Sequence, residues 1–363
     1  MTATPVRSVS WKGPGRFHVL PATDETVTIG LFDVNKPPVL TIESGDTVAV
    51  ETRNHYNDGI VVGKSIEEVI TLRKAHTGRG PHSVTGPIFV KGAEPGDVLE
   101  VRIKEITPKA YGFNYHLPLD FGFGVVPEDF PAGHIKYFYL DRSTMTTEFK
   151  AGVTIPLAPY PGILAVGPPL DWPERWFPGL EKARWQPEPG RFNTMPPGPF
   201  GGNMDNTTWG MGAAVFLPVF HPGALLWTGD SHAKQGDGEV NLTAIECAFS
   251  AIVLQVVVRK DRKAEGAWAW PLAETPSHWV IQGVDPDLSR ALKHAVRNTI
   301  DFLVREKGFT RHEAYCFASI AVDYRVTQGV SPTTGVHGMI PKAFFEDAKG
   351  VPYTLGAREF GGR

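Results

Sequence analysis

Residues 229–239 constrain the fold of this chain more than any other segment. They read Gly-Asp-Ser-His-Ala-Lys-Gln-Gly-Asp-Gly-Glu, with an apolar run before them at 224–227. Residues 240–245 alternate at the period of a β-strand. Two strands joined by a glycine-bearing loop are therefore predicted, and residues two apart in a strand share a face. The polar groups expected at one end of the sheet are Asp230, His232, Asp237 and Glu239.

These polar groups indicate either a cation site or an acid with a shifted pKa. Carboxylates gathered so closely repel one another, which raises a pKa or requires a cation. A mixed set of carboxylate and imidazole ligands suits Zn²⁺, Mn²⁺ or a related divalent ion. The alternative is a solvated hairpin tip, because Gly-Asp and Asp-Gly pairs are common turn formers. His232 and Gln235 favour a site, since a plain turn needs neither.

Composition bounds the class of protein. The chain has 363 residues, of which 42% are hydrophobic and 21% charged, as is typical of a globular protein with a large core. The net charge is −3 and the basic residues are scattered, so we expect no nucleic-acid partner. Residues 1–7 carry no apolar leader, and no stretch has the length of apolar residues that spans a membrane. We therefore expect no membrane partner and a cytoplasmic location.

Three regions are predicted along the chain. Residues 1–108 form a β-rich part in which two Gly-Asp turns, at 45–46 and 96–97, each lead into a β-rich run. Residues 109–200 combine aromatic side chains with many prolines, which is typical of loops and short strands that build a site. Residues 201–363 carry the 229–239 motif and an α/β tail. We expect one intertwined unit of mainly β class, α+β overall, that contains a β-sandwich.

Helices are predicted mainly near the C-terminus. Residues 285–287 combine acids with a proline at the start of one helix, whose apolar residues recur every three or four positions. Thr310 and Glu313 form a capping box for a second helix, and a strand follows at 322–326. Ser65 begins another short helix in the same way. The C-terminal helical pair is expected to pack on the β body.

Several motifs, in order along the chain, resemble the acetamidase/formamidase family. They are residues 85–87 (Thr-Gly-Pro), 127–130 (Pro-Glu-Asp-Phe), 201–205 (Gly-Gly-Asn-Met-Asp), 217–225 and 229–239. The resemblance implies hydrolysis of a small linear amide, such as formamide or acetamide, to a carboxylic acid and ammonia. It also implies a mainly β fold that contains a sandwich, and a divalent metal at the site. Zinc is the first expectation, with calcium or manganese as alternatives.

The family motifs, carried over position by position, place the metal site. His232 and Asp230 are the expected first ligands, and Asp205 and His82 are expected additional ones. A bound divalent ion acidifies water and polarises a carbonyl, which are two of the three tasks of amide hydrolysis.

The third task is proton transfer. Glu239 is the candidate general base and later acid, and Asp237 is an open alternative. Asn203 and Gln235 are expected to donate hydrogen bonds to the amide oxygen. Trp209 and Thr85 are expected to contact the substrate, with Trp209 and the aromatic stretch between 111 and 185 lining the pocket.

Two other interpretations stay open. One is an amidase with a cysteine nucleophile, although Cys247 and Cys316 lie in apolar runs where a buried, inert thiol is expected. The other is a non-catalytic ligand-binding β-sandwich. A homo-oligomer is expected from sheet edges and apolar helix faces. The remaining histidines are interpreted as structural or surface residues: His55, His116, His134, His278, His294, His312 and His337.

Overall fold

The computed structural model describes residues 14–345, and strands dominate its regular structure. The prediction that residues 1–7 carry no apolar leader falls outside the described residues, as does the chain after residue 345. The strands are β1 Phe17–Leu20, β2 Val27–Ile29, β3 Leu31–Asp33, β4 Leu40–Ile42, β5 Thr47–Val50, β6 Ser83–Val90, β7 Val98–Pro108, β8 Tyr111–His116, β9 His134–Tyr139, β10 Thr146–Lys150, β11 Val153–Pro156, β12 Tyr160–Ala165, β13 Arg191–Asn193, β14 Gly201–Asn203, β15 Ala214–Pro218, β16 Leu226–Lys234, β17 Ile245–Cys247, β18 Phe249–Arg259, β19 Leu272–Glu274, β20 His278–Asp285, β21 Asp323–Gln328 and β22 Thr334–Pro341. The helices are α1 His55–Asp58, α2 Ile66–Ala75, α3 Lys182–Trp185, α4 Leu288–Lys307 and α5 Arg311–Ala321.

One nine-stranded sheet is organised around β18. Its order is β1-β5-β18-β7-β15-β19-β20-β22-β21. The strands β5 and β7, which follow the two predicted Gly-Asp turns, both pair antiparallel with β18. Each turn is closed by the same kind of hydrogen bond: Asp46 N donates to Glu43 O at 3.1 Å, and Asp97 N donates to Glu94 O at 3.0 Å. The two runs are equivalent neighbours of one strand, and strand pairing joins the first predicted region to the third.

A second nine-stranded sheet contains the 229–239 segment. Its main order is β14-β12-β16-β17-β8-β9, and β6 pairs with β16, β2 and β4. The predicted strand over 240–245 is wrong for most of its length. Only its last residue, Ile245, belongs to a strand, which is β17 and pairs with β16. Positive φ angles of 48° at Glu239 and 119° at Leu242 turn the chain away from an extended path.

The largest hydrophobic cluster draws on both nine-stranded sheets. Val101 and Ile252 come from the first sheet, and Ile163 and Trp227 come from the second. Burial of such apolar side chains is the main stabilising contribution to a fold of this size. The predicted mainly β class is confirmed, and the packing of the sheets as a sandwich stays a prediction.

The helix starts follow local sequence signals. Asp287 caps α4, because its side chain accepts a hydrogen bond from Arg290 N at 2.8 Å. The sequence pattern predicts Pro286 inside the first turn of this helix. In the structure Pro286 instead lies just before the cap. The capping boxes predicted for α2 and α5 are both present. Cys316 of α5 is exposed, which corrects its predicted burial. Among residues 14–345, no helix is both long and apolar enough to cross a membrane.

The helix α4 lies directly against the sheet at Gly283 of β20. A Cβ added to Gly283 would lie 2.2 Å from Ala295 N and 2.4 Å from Ala291 O, both in the backbone of α4. Phe302 of α4 shares a second hydrophobic cluster with Trp279 of β20. The missing side chain therefore sets how closely the helix can approach the strand.

We expect Gly283→Ala to lower the free energy of unfolding by about 3 kcal/mol, because the methyl group forces α4 away from β20. Chemical denaturation followed by circular dichroism measures this change. Gly179→Ala is the matched control, since a Cβ at Gly179 meets nothing within 4 Å. It should stay within about 0.5 kcal/mol of the parent. Equal stability of the two variants would show that the helix can shift without cost.

Candidate active site

The strand β16 presents two polar side chains on one face. Asp230 and His232 are both buried, and the Nε2 atom of His232 lies 3.5 Å from Asp230 Oδ2. Ser231, between them, points to the other face, where its Oγ lies 2.7 Å from Thr52 Oγ1. A serine nucleophile activated by the adjacent His232 is therefore not supported by this geometry.

Glu246 is a site residue that the sequence analysis missed. It is the direct cross-strand partner of His232 in the pairing of β16 with β17. Its Oε1 lies 3.1 Å from His232 Nε2, and its Oε2 lies 3.2 Å from His55 Nε2. The sequence did carry a signal, because Glu246 is the single charged residue in the apolar run 244–249. A buried acid in such a run needs a partner or a function.

His55 belongs to the site as well, which corrects its interpretation as a structural or surface residue. Its Nε2 lies 3.0 Å from Asp230 Oδ1, and its Nδ1 lies 3.1 Å from the hydroxyl of Tyr115. The short element α1, which begins at His55, is a left-handed turn at Tyr56, Asn57 and Asp58, with φ between 55° and 61°. His55 has no neighbouring ligand-type residue in the sequence at metal-site spacing, so no local signal could have identified it.

His82 and Asp205 complete the ring of candidate ligands. His82 comes just before β6, and its Nε2 lies 3.9 Å from Asp230 Oδ2 while its Nδ1 lies 2.8 Å from Thr194 Oγ1. Asp205 follows β14, and its Oδ1 lies 3.9 Å from His232 Nδ1. All four predicted metal ligands are thus brought to one place.

Three site carboxylates sit on strained backbone. The φ angles are 50° at Asp205, 49° at Asp230 and 48° at Glu239, in the left-handed region that residues with a side chain rarely adopt. Each such residue costs about 1–3 kcal/mol and persists only where the surrounding structure fixes it. The strain is a sign that the fold holds these carboxylates in place at the expense of stability.

Gly162 of β12 allows the site to be this compact. A Cβ at this position would lie 2.7 Å from Asp230 Oδ2, 2.7 Å from the His232 ring and 2.8 Å from Asp205 Oδ1. Any larger residue would occupy the space among the three side chains. A ligand atom bound by them would lie close to the backbone of β12.

The site surrounds a small polar cavity of about 40 Å³. Its walls include six of the ionisable groups (His55, His82, Asp205, Asp230, Glu239 and Glu246), together with Asn203 and Ser331. Leu117, Phe123 and Leu242 add apolar surface to the wall, and Arg73 and the hydroxyl-bearing Tyr56 and Tyr115 also line the cavity. The cavity can therefore accept a small polar group while excluding most water.

The charges in the cluster compensate one another. Burial opposes a charged imidazole at His55, but the carboxylates of Glu246 and Asp230 outweigh it and raise its pKa to about 9. Burial is likewise outweighed at His232, where Glu246 raises the pKa well above its ordinary value. Burial would raise the pKa of Asp230 and Glu246, but the histidines around them lower both values. Two cationic and two anionic groups thus pair in the interior.

The other three groups favour their neutral forms. Burial raises the pKa of Asp205 well above its usual range, and the charge of Asp230 adds to this effect. Burial and the charge of Asp205 raise the pKa of Glu239 in the same direction. Burial lowers the pKa of His82 to about 4, against the attraction of Asp230. Asp205 and Glu239 can therefore hold protons at neutral pH, while His82 offers a free nitrogen lone pair.

The same residues could hold a metal ion. Three groups of three have ligand atoms that all lie within 4.8 Å of one another: His55, His82 and Asp230; Asp205, His232 and Glu239; Asp230, His232 and Glu246. Both carboxylate oxygens of Asp205 are buried without a hydrogen-bond partner. Buried carboxylate oxygens are costly without a proton or a cation, so the donor set fits a metal ion.

The sequence profile of the acetamidase/formamidase family matches residues 24–347. This chain belongs to that family. It is 29% identical to a candidate formamidase of Schizosaccharomyces pombe over 266 residues, which are 64% of this chain and 64% of that protein. The chain therefore spans less than two thirds of that relative.

Two further relatives match over more of their length. An acetamidase of Mycolicibacterium smegmatis is 24% identical over 337 residues, which cover 77% of this chain and 82% of that protein. The crystal structure of an acetamidase from Bacillus halodurans matches with a TM-score of 0.76 and 28% identity, over 91% of this chain and 99% of that chain. Both the sequence and the fold therefore extend the family relation across most of the chain.

Two positions of the family motif lie apart from the cavity. Asp237 accepts a hydrogen bond from Thr207 Oγ1 at 2.8 Å and does not line the cavity. Gln235 donates from Nε2 to Asp205 O at 2.9 Å and accepts from the Tyr160 hydroxyl through Oε1. Since its amide is occupied by protein partners, Gln235 positions Asp205 and Tyr160 instead of facing the cavity.

The predicted substrate contacts at Trp209 and Thr85 are also not formed at this cavity. Trp209 is fully buried in the main hydrophobic cluster, where its large apolar surface is removed from water. Thr85 is buried in β6 and donates a hydrogen bond to Glu51 O at 3.0 Å. The aromatic stretch after residue 110 does reach the cavity, but through Tyr115 and Phe123.

We expect Glu246→Gln, in protein treated with chelator, to lower the free energy of unfolding at pH 7 by about 3–5 kcal/mol. The reason is that two buried imidazoles lose a shared anionic partner. The pKa of Glu246 is lowered in the fold, so its carboxylate stabilises the folded state above the pKa of an unfolded glutamate. Urea denaturation measures the change, with the exposed Glu148→Gln as control. A loss below about 0.5 kcal/mol would contradict the ion-pair account.

Proposed function

We propose that this protein hydrolyses the C–N bond of a small linear amide, such as formamide or acetamide, to a carboxylic acid and ammonia. The observation that carries the proposal is the buried cluster of three imidazoles and four carboxylates. The cluster encloses a cavity large enough for an amide group. Family membership supports the same activity, because relatives are named acetamidase and formamidase.

Glu239 is the proposed general base and acid. A group that takes a proton from water and returns it to the leaving nitrogen works best with a pKa near the working pH. Glu239 lines the cavity and its pKa is raised, whereas Asp237 hydrogen-bonds Thr207 outside it. The geometry therefore favours Glu239 over Asp237.

Asn203 is the proposed contact to the amide group. It lines the cavity, and its Nδ2 donates a hydrogen bond to Ser331 Oγ at 3.1 Å. Its Oδ1 is buried without a hydrogen-bond partner. The carboxamide can therefore accept a hydrogen bond from the NH₂ group of a bound amide. This role replaces the predicted pair of donors, since Gln235 is occupied elsewhere.

We also propose a divalent metal ion, with zinc as the first expectation and calcium or manganese as alternatives. The residues that would hold it are the predicted His232, Asp230, Asp205 and His82, with His55 and Glu246 added from the structure. A bound ion would supply Lewis acidity at the amide carbonyl and acidify water. The partnerless carboxylate oxygens of Asp205 support the choice of this donor set.

The cysteine mechanism is less well supported. Burial raises the pKa of Cys247 far above its ordinary value, so the thiol stays protonated and is a poor nucleophile. Cys316 is exposed on α5 and does not line the polar cavity. A non-catalytic ligand-binding protein is disfavoured for another reason: it has no need for so many buried ionisable groups with shifted pKa values.

Other sequence predictions remain part of this proposal. They are the sandwich packing of the two sheets, the cytoplasmic location, the homo-oligomeric state and the lack of nucleic-acid or membrane partners. The net charge of −3 supports the absence of nucleic acid.

Purified protein is expected to release ammonia from at least one short amide among formamide, acetamide and propionamide. Dialysis against chelator should abolish this activity, and adding back zinc, manganese or calcium should identify the ion. Elemental analysis provides a second readout, in which His232→Ala loses metal and the exposed His312→Ala retains it. Full activity with less than about 0.1 metal per chain would exclude the metal but leave the amidase in place.

Glu239→Gln should retain metal and fold while lowering kcat about a hundredfold or more, because the proton carrier is lost. Asp237→Asn is the matched acid-to-amide control and should keep kcat within about threefold, since Asp237 lies outside the cavity. Steady-state ammonia release at saturating amide distinguishes the two. The reverse ranking would assign the base to Asp237.

A further inference from the structure

A second cavity adjoins the polar one and has a different character. Its volume is about 330 Å³, against about 40 Å³ for the polar cavity. Apolar side chains form most of its wall, including Phe123, Val126, Phe130 and Val240. Among the described residues that line it there is no Asp, Glu, Lys or Arg. This wall suits an apolar group, with His116 and Asn241 as its polar members.

The two cavities share part of their wall. Leu117 and Phe123 line both of them. The loop that carries Glu239 into the polar cavity continues directly into Val240 and Asn241, which line the apolar one. The apolar space therefore lies next to the polar cavity, and an acyl chain that reaches it from there must pass Leu117 and Phe123.

Phe130 and Val240 leave a large apolar surface open to water. Phe130 is 58% exposed and Val240 61% exposed. The ring of Phe130 is held at the cavity rim by an edge contact with His116, at a centroid distance of 5.9 Å. An occupant that covers these side chains gains hydrophobic free energy in proportion to the apolar area it buries.

We propose that the apolar cavity is an acyl-group subsite and that the preferred substrates are primary amides of longer alkyl or arylalkyl carboxylic acids. This inference rests on the proposed amide hydrolysis. The reaction stays the same: water adds to the carbonyl carbon, the C–N bond breaks, and the nitrogen leaves with a proton as ammonia. The acyl chain does not react and contributes binding that acetamide lacks, since acetamide leaves the apolar cavity empty.

The experiment compares kcat/KM for acetamide, butanamide, hexanamide and phenylacetamide with the holoenzyme. Each buried methylene should raise kcat/KM about fourfold until the cavity is filled. Phe130→Ala should lower kcat/KM for hexanamide about tenfold or more and change acetamide by less than about twofold. Val126→Asp, which places a charge in the apolar wall, should have the same selective effect. Phe344→Ala is the matched control, because Phe344 is 61% exposed and lines neither cavity.

The outcomes separate the two proposals. If no amide is hydrolysed, the proposed function fails. If acetamide is hydrolysed but kcat/KM falls with every added methylene, only the acyl subsite is overturned. An equal loss on all amides in Phe130→Ala would also overturn it. The subsite would also be overturned if Phe130→Ala left the ratio of kcat/KM for hexanamide to that for acetamide unchanged and gave a smaller particle in light scattering. The apolar surface would then be a contact between copies of the chain.

Discussion

The pairing of buried charges between His232 and Glu246 is the interaction on which this site depends. Moving one isolated charge out of water costs several kcal/mol, so the strands β16 and β17 can carry these residues inward only as partners. Their register places the two side chains directly opposite. Glu246 then reaches His55 with its second oxygen, and His55 reaches Asp230. One cross-strand pair thus sets the positions of groups from three parts of the chain: β16, β17 and the segment that begins at His55.

The rest of the site adds precision at a cost in stability. Left-handed backbone at three carboxylates and the absent side chain at Gly162 both bring polar groups closer than an unconstrained chain would place them. Such strain is expected where a protein holds groups in readiness for chemistry. Gln235 and Tyr160 illustrate the supporting role, because they are fully used in orienting Asp205 and His232. Rigid placement of this kind lowers the reorganisation that a reaction requires.

Local signals in the sequence predicted local structure well. The capping boxes at Ser65 and Thr310 depend on residues three positions apart, and both are present. Asp230, His232 and Glu239 could be grouped because they are neighbours in sequence, and the family motifs added Asp205 and His82. His55 and Glu246 could not be found in this way. Their roles arise from a turn and a strand register that only the folded chain defines.

The sheet order was beyond sequence reasoning for a related physical cause. Pairing of β18 with β5 and β7 joins residues that are some 150 to 200 positions apart in the chain, and no composition or periodicity encodes such a choice. The family motif placed Asp237 at the site, and Trp209 was expected there because aromatic side chains often line pockets. The structure instead satisfies Asp237 with Thr207 and encloses Trp209 in the core.

The late position of β18 has a consequence for biosynthesis. During translation β5 and β7 leave the ribosome well before the strand that will separate them, so each carries an unsatisfied row of backbone groups for many seconds at ordinary elongation rates. Premature pairing of β5 with β7, or of either strand with another nascent chain, is the natural error in that interval. Recombinant yield of this protein should therefore rise at a lower growth temperature and with chaperones that cover exposed strand edges.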